Sequence, residues 1–317
     1  MAARFDFQDI NLIPRKCIVN SRNECVTEVT LGKHIFALPV VPANMECVIN
    51  DEIAHKLASN GYFYIHHRFN VDAVAFAKFM KKDNLIVSIS LGVNEDAYEI
   101  MKSLANADLM PDFVTIDIAH GHSIKMEKIV KWIKSTFTNP PFIIAGNVST
   151  PDACHDLESW GADAIKVGIG PGSACTTYVA TGFGSRGCQA SVIRDCVVAV
   201  QNSYIIADGG IKEPGDIAKA LVLGAHMVMI GGMFSALSDS PGNTVTGTDG
   251  RLYKEFWGSA SAFQSGKKNR IEGTKKLMLM KHHGILDEMT HICECLQSAI
   301  SYGGGNDLSC FLKVRYF

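Results

Sequence analysis

The 317 residues are 47% hydrophobic and 20% charged, with a formal net charge of −2, enough apolar material to close one sizeable core. No dense basic face of the kind that nucleic acid or an anionic membrane demands is implied, so small-molecule partners are favoured. The opening MAARFDFQDINLIPRK has no signal-like apolar run, no membrane-length apolar stretch follows, and the ten cysteines form no C-x-x-C pair; a reduced, cytoplasmic setting is expected.

Eight short runs rich in Val, Ile and Phe recur along the chain, at 38–45, 61–67, 85–92, 113–120, 141–148, 164–170, 203–210 and 227–234. Helical patterns lie between them, among them 51–60, 71–82, 123–137, 150–161 and 212–224. Runs apolar almost throughout suit parallel strands covered on both faces, and eight with alternating helices suit a closed (β/α)8 TIM barrel. One catalytic domain over 1–317, with no inserted module, is therefore expected. Successive runs start 23 to 28 residues apart, except for a gap of 39 after run six. Barrel active sites lie at the C-terminal strand ends, so that long loop is where chemistry is sought. A second extended segment, 235–275, follows run eight and is expected to include a flap.

The long loop begins in IKVGIGPGSACTTYVATGFG. Cys175 sits there among Gly, Pro, Ser and Thr rather than in an apolar periodic run, which marks it as a candidate thiolate nucleophile. Cysteines 17, 25, 47, 154, 188 and 196 read as small hydrophobes. Gly182 to Gly187 satisfies G-x-G-x-x-G, but the strand that a dinucleotide fingerprint requires before it is missing. His291, Cys293 and Cys295 lack a second ligand pair for a metal.

Two glycine pairs, in ADGGI (207–211) and IGGMF (230–234), end runs seven and eight, where barrels of this kind recurrently hold phosphate. Asp208, just before the first pair, suits a ribose diol; Glu213 or Asp216 is better placed to cap the following helix. Polar residues at the other strand ends, Asn44, His66, His67, Arg68, Asp117, His120, His122 and Asn147, face the same mouth in such a barrel. The two histidines of DIAHGHS, two residues apart, are not a helical metal pair.

With FQDINLIPRKCIVNSRNEC, LPVVPANM, HHRF, DIAHGHS, AGNV, GIGPGSACTT, TGFG, IIADGGIKEPGDIAKAL and VMIGGMF, the chain resembles the IMP dehydrogenase and GMP reductase family over nearly its whole length. Dehydrogenases usually carry a regulatory domain pair after strand two and an Arg-Tyr pair in the flap; HHRFNVDAVAFAKFM and SGKKNRIEG have neither, which resembles the reductase branch.

That resemblance implies NADPH-dependent reductive deamination of GMP to IMP through a thioimidate on Cys175, with Thr177 and Glu272 as proton relay. It implies Ser173, Gly209, Gly210, Gly231 and Gly232 around the phosphate and Asp208 on the ribose. Trp257, Gly258, Ser259 and Ser261 would meet the phosphate or base edge, and Asp117, Ala119 and Gly121 the cofactor. Carbonyls of Gly170, Gly172 and Cys175 would form a monovalent-cation (K+) site, as in some relatives, and the assembly would be a homotetramer. Tyr178 and Thr274 depart from the basic residues often found there. A minimal IMP dehydrogenase and a retired nucleotide-binding barrel are the competing readings.

Overall fold

The computed structural model describes residues 4–266, 269 and 271–317. The elements are β1 (Val29–Leu31), β2 (His34–Phe36), β3 (Val40–Pro42), α1 (Asp51–Ser59), α2 (Ala73–Lys82), β4 (Ser88–Leu91), α3 (Glu95–Asn106), β5 (Phe113–Asp117) and α4 (Ile124–Thr136). Then come β6 (Phe142–Val148), α5 (Pro151–Trp160), β7 (Ala164–Val167), α6 (Thr177–Thr181), α7 (Gln189–Val197), β8 (Tyr204–Asp208), α8 (Pro214–Val222), β9 (Met227–Ile230) and α9 (Gly232–Ser235). The chain continues through β10 (Thr244–Thr246), β11 (Leu252–Trp257), α10 (Ala262–Ser265), β12 (Lys275–Leu279) and α11 (Ile285–Gly303).

Seven strands form one curled sheet in the order β3-β9-β8-β7-β6-β5-β4, every pair parallel. They are seven of the eight expected runs. The remaining run, 61–67, is not a strand, and its hydrogen bonds give the reason. Ala37 N–H donates to Gly61 O at 2.9 Å, and His66 N–H to Ser88 O at 3.1 Å. Between those points the Tyr64 hydroxyl takes the place of backbone: it donates to Ile86 O at 2.7 Å and accepts from Ser88 N–H at 3.1 Å. A side chain thus satisfies main-chain groups that a regular ladder would have paired.

Inward and outward residues alternate along the sheet. Phe36, Val41, Phe63, Ile65, Phe113, Ile144 and Met229 fill its interior, whereas Val40, Tyr64, Ile143 and Val228 belong to the larger core that includes the helices. The β1–β2 hairpin adds Leu31 and Phe36 to the interior cluster, where Phe36, Phe63, Phe113 and Phe142 stack in sequence at ring separations of 4.8, 4.9 and 5.3 Å. These aromatic contacts close the end opposite the site.

The helices dock by apolar stripes. On α4, Met126, Ile129, Val130 and Ile133 are fully buried at helical spacing, each contributing about 1.5–3 kcal/mol of burial, and Ser123 caps the first turn by accepting from Met126 N–H. At α8 the Asp216 carboxylate accepts the Lys212 N–H at 3.0 Å, so Asp208 is not used as a cap. After β9, β10, β11 and β12 make a small antiparallel sheet. Lys267, Lys268 and Arg270 of the expected flap lie outside the described residues.

Candidate active site

A cavity of about 880 Å³ opens at the C-terminal strand ends. On one side is the loop after β7. Its entry demands glycine: Gly168 has φ +151°, and a Cβ there would stand 1.9 Å from Asp208 O. The loop then folds so that Cys175 N–H donates to Gly172 O at 3.0 Å.

A second chain segment is tied to this loop through its backbone. Thr176 N–H donates to Glu272 O at 2.8 Å, Thr274 N–H to Ala174 O at 2.9 Å, and Glu272 N–H to Ala260 O at 3.0 Å. Cys175 and Gly273 are bridged antiparallel, and Ser261 and Gly273 parallel. The consequence is a line of three side chains. The Thr177 hydroxyl donates to Glu272 Oε2 at 2.7 Å and lies 3.2 Å from Cys175 Sγ. A hydroxyl has one proton and two lone pairs, so Thr177 accepts from the thiol while donating to the carboxylate. The arrangement can carry a proton between sulfur and carboxylate.

Other thiols are held out of such chemistry. Burial pushes Cys47 up to about 12 and Cys310 up to about 11, so both stay protonated at neutral pH. Donation of the Cys154 thiol proton to Cys196 raises Cys154, and burial raises it further. On α11, Cys293 Sγ lies 3.5 Å from Thr27 Oγ1, and Cys295 Sγ 3.7 Å from His291 Nε2.

Below Cys175 lies a charge cluster that the apolar pattern of run six conceals. Lys166 on β7, 2% exposed, places Nζ 2.9 Å from Asp117 Oδ1 on β5 and 3.2 Å from Asp208 Oδ2 on β8. Asn44 Nδ2 donates to Asp117 Oδ2 at 3.0 Å, and Asn147 Nδ2 to Asp208 Oδ2 at 2.7 Å. Burial alone would raise the Asp117 carboxyl, but Lys166, Asn44 and Arg68 together hold it below the ordinary carboxylate range. Burial disfavours the Lys166 ammonium, and the two carboxylates outweigh it, leaving its pKa raised. Strand register makes room for this: Gly146 is paired with Lys166, and a Cβ on Gly146 would stand 2.6 Å from Lys166 Cβ. The signal in the sequence was a lone lysine inside AIKV, which sequence reasoning passed over.

Most of the expected binding residues line the cavity: Ser173, Asp208 and both glycine pairs, with Gly258, Ser259, Asp117 and Ala119. The two halves of the phosphate candidate converge, because a Cβ on Gly232 would stand 3.9 Å from Ser173 Oγ and one on Gly209 3.1 Å from Gly172 N. Three others are not among the lining residues. Trp257 is buried with its indole N–H donating to Gln264 Oε1 at 2.7 Å, and Ser261 caps α10 by accepting from Gln264 N–H. Gly121 packs on β6, its N–H donating to Asn147 O at 2.7 Å.

The histidines of HHRF are also turned away. His66 is buried against Asp51 at 2.9 Å, and burial pushes His67 down to about 3, so it is neutral; Arg68 alone of the three lines the cavity. His122 pairs with Asp156 at 2.8 Å. Met45, Met233 and Met278, unremarked in the sequence, supply apolar wall.

Residues 4–314 match the family described as the IMP dehydrogenase / GMP reductase domain. A GMP reductase of Mycoplasma mycoides subsp. mycoides is 50% identical over 312 residues, covering 98% of this chain and 97% of that protein. GMP reductases of Enterococcus faecalis and Bacillus cereus are each 52% identical, over 313 and 314 residues, with 98% of this chain covered and 95% and 94% of theirs. With the family matched over residues 4–314 and these relatives about half identical over 98% of its length, the chain belongs to the IMP dehydrogenase/GMP reductase family.

Proposed function

We propose that this protein is a GMP reductase, an oxidoreductase that converts GMP, NADPH and a proton to IMP, ammonia and NADP+. The observation that carries the reading is the hydrogen-bonded line Cys175–Thr177–Glu272 at the wall of a cavity that also holds both glycine pairs. In this reading Ser173, Gly209, Gly210, Gly231 and Gly232 receive the phosphate, Asp208 the ribose, and Gly258 and Ser259 the base edge, with Trp257 and Ser261 supporting them from behind.

The Cys175 thiol gives its proton through Thr177 to Glu272, and the sulfur bonds to purine C2, which two ring nitrogens make electrophilic. The same pair returns the proton to the amine as the C2–N bond breaks and ammonia leaves. The product of these steps is a thioimidate on Cys175. NADPH, when bound, supplies the hydride that C2 then requires. Breaking of the C2–S bond leaves IMP and restores the cysteine. Asp117 and Ala119 would hold the cofactor, with Gly121 supporting them from behind through its bond to Asn147 O.

The chain's own residues fit that group: 880 Å³ lies near the top of the range for a single small-ligand pocket, and Asn147 Oδ1 is buried with no hydrogen-bond partner among the described residues. Of the carbonyls that would hold potassium, Gly172 O accepts from Cys175 N–H, which uses one of its two lone pairs.

The same reading extends to the whole chain. Segment 61–67, bonded toward both edges of the sheet and alternating like a strand, completes a (β/α)8 barrel over 1–317, with a long loop after its sixth strand and a flap after its eighth. A cytoplasmic homotetramer rests on the family resemblance, and light scattering tests the assembly. Mixing the protein with GMP and NADPH, and separately with IMP and NAD, tests the activity by nicotinamide absorbance. Oxidation of NADPH with GMP is expected; reduction of NAD with IMP and no reaction with GMP would overturn it in favour of a dehydrogenase.

A further inference from the structure

Lys166 puts a full charge inside the sheet with 3% of its side chain exposed. An ammonium has three donors, and three oxygens surround this one: Asp117 Oδ1 at 2.9 Å, Asp208 Oδ2 at 3.2 Å and Asn44 Oδ1 at 3.5 Å. Asp208 Oδ2 also accepts from Asn147 Nδ2 at 2.7 Å, so one oxygen anchors the carboxylate and the other is left to face a ribose. Asp117 is likewise fixed at both oxygens, by Lys166 and Asn44.

We infer that Lys166 is a positioning residue of this enzyme: one cation holds the ribose-binding carboxylate and the cofactor-side carboxylate together, making the two subsites depend on each other. The inference rests on the function proposed above, which gives Asp208 the ribose and Asp117 the cofactor. Removing the ammonium leaves two half-buried carboxylates without their shared counter-charge, and their repulsion is relieved when one takes up a proton. The other groups facing the cluster among the described residues are the charged Arg68 and neutral Asn44, Ser90, Asn147 and Met229.

Titration calorimetry of GMP from pH 5.5 to 8.5 tests this on the full chain. Lys166→Met is expected to weaken GMP about tenfold or more at pH 7.5, with the penalty against wild type shrinking toward pH 5.5 as a carboxyl protonates. Lys166→Arg, which keeps the charge, is expected to restore affinity to within about fivefold and remove the pH dependence of the penalty.

If Lys166→Met does not fold, Lys166→Met/Asp117→Asn carries the test. With one carboxylate left, held by Asn147, it is expected to bind GMP within about fivefold of wild type while losing affinity for NADP+. Wild-type GMP affinity in Lys166→Met at every pH, or a pH-independent loss that arginine does not rescue, overturns the inference. So does a double variant that binds NADP+ as wild type does. Absence of GMP binding to the wild type overturns the proposed function, and this inference with it, and is read from a separate titration.

Discussion

Replacing Thr177 by valine removes one hydroxyl from the line between sulfur and carboxylate and keeps the side-chain shape. Thr177 is 9% exposed, and its hydroxyl lies 3.2 Å from Cys175 Sγ and 2.7 Å from Glu272 Oε2. With it gone, the thiol has no acceptor toward Glu272 and the departing amine loses its proton route. Positioned acid–base groups typically contribute 10²–10⁴-fold, so kcat for GMP is expected to fall about 10²–10³-fold, roughly 2.7–4 kcal/mol of barrier. The loss of one hydrogen bond should cost stability about 1 kcal/mol, because Glu272 is only partly buried and water can take the vacated place. GMP affinity should stay within about threefold, since the phosphate and ribose positions are untouched. Stopped-flow absorbance with saturating GMP and NADPH, paired with calorimetric Kd values, separates the two effects. A folded Thr177→Val protein whose kcat stays within about fivefold of wild type would refute the relay.

Cys175→Ala is expected to bind GMP by calorimetry yet oxidise no NADPH, and wild-type turnover in it would remove the nucleophile assignment. Tyr64→Phe strands Ile86 O and Ser88 N–H, which its hydroxyl now serves, and should cost about 1–3 kcal/mol in urea unfolding; no measurable loss would mean that backbone closes the gap unaided. Asp117, whose folded pKa lies below its unfolded one, contributes stability that is full above the ordinary carboxylate pKa and is lost as pH falls through the folded value. Asp117→Asn should therefore flatten the acid limb of stability against pH, measured by urea unfolding between pH 2.5 and 6; an unchanged limb would show that the Lys166 pair does not stabilise the fold.

The strand runs were legible because parallel strands buried on both faces are apolar at every position, whatever their partners. Run 61–67 carried the same signature and failed as a strand because the tyrosine in its centre competes for the ladder with its own hydroxyl, which no hydropathy pattern registers. The β1–β2 hairpin and strands β10 and β12 leave most of their positions exposed or half-buried, so no apolar run marks them. Cys175 stood out by the wrongness of its neighbours for a core thiol. Glu272 had no local mark: it lies 95 residues from Thr177 and entered only through family likeness. Lys166 was missed for the converse reason, since one polar residue in a buried strand discloses nothing until its distant counter-charges are placed.

Cys175 and Glu272 travel on different loops, joined by the backbone bonds of Thr176 with Glu272 and Thr274 with Ala174. That seam divides the labour of the enzyme. The sulfur and the hydroxyl beside it are inherited from the loop after β7, while the carboxylate that accepts from that hydroxyl is inherited from the segment carrying Gly273. A change confined to the second segment can therefore reset the carboxylate end of the line while leaving the thiol and the hydroxyl beside it where they stand.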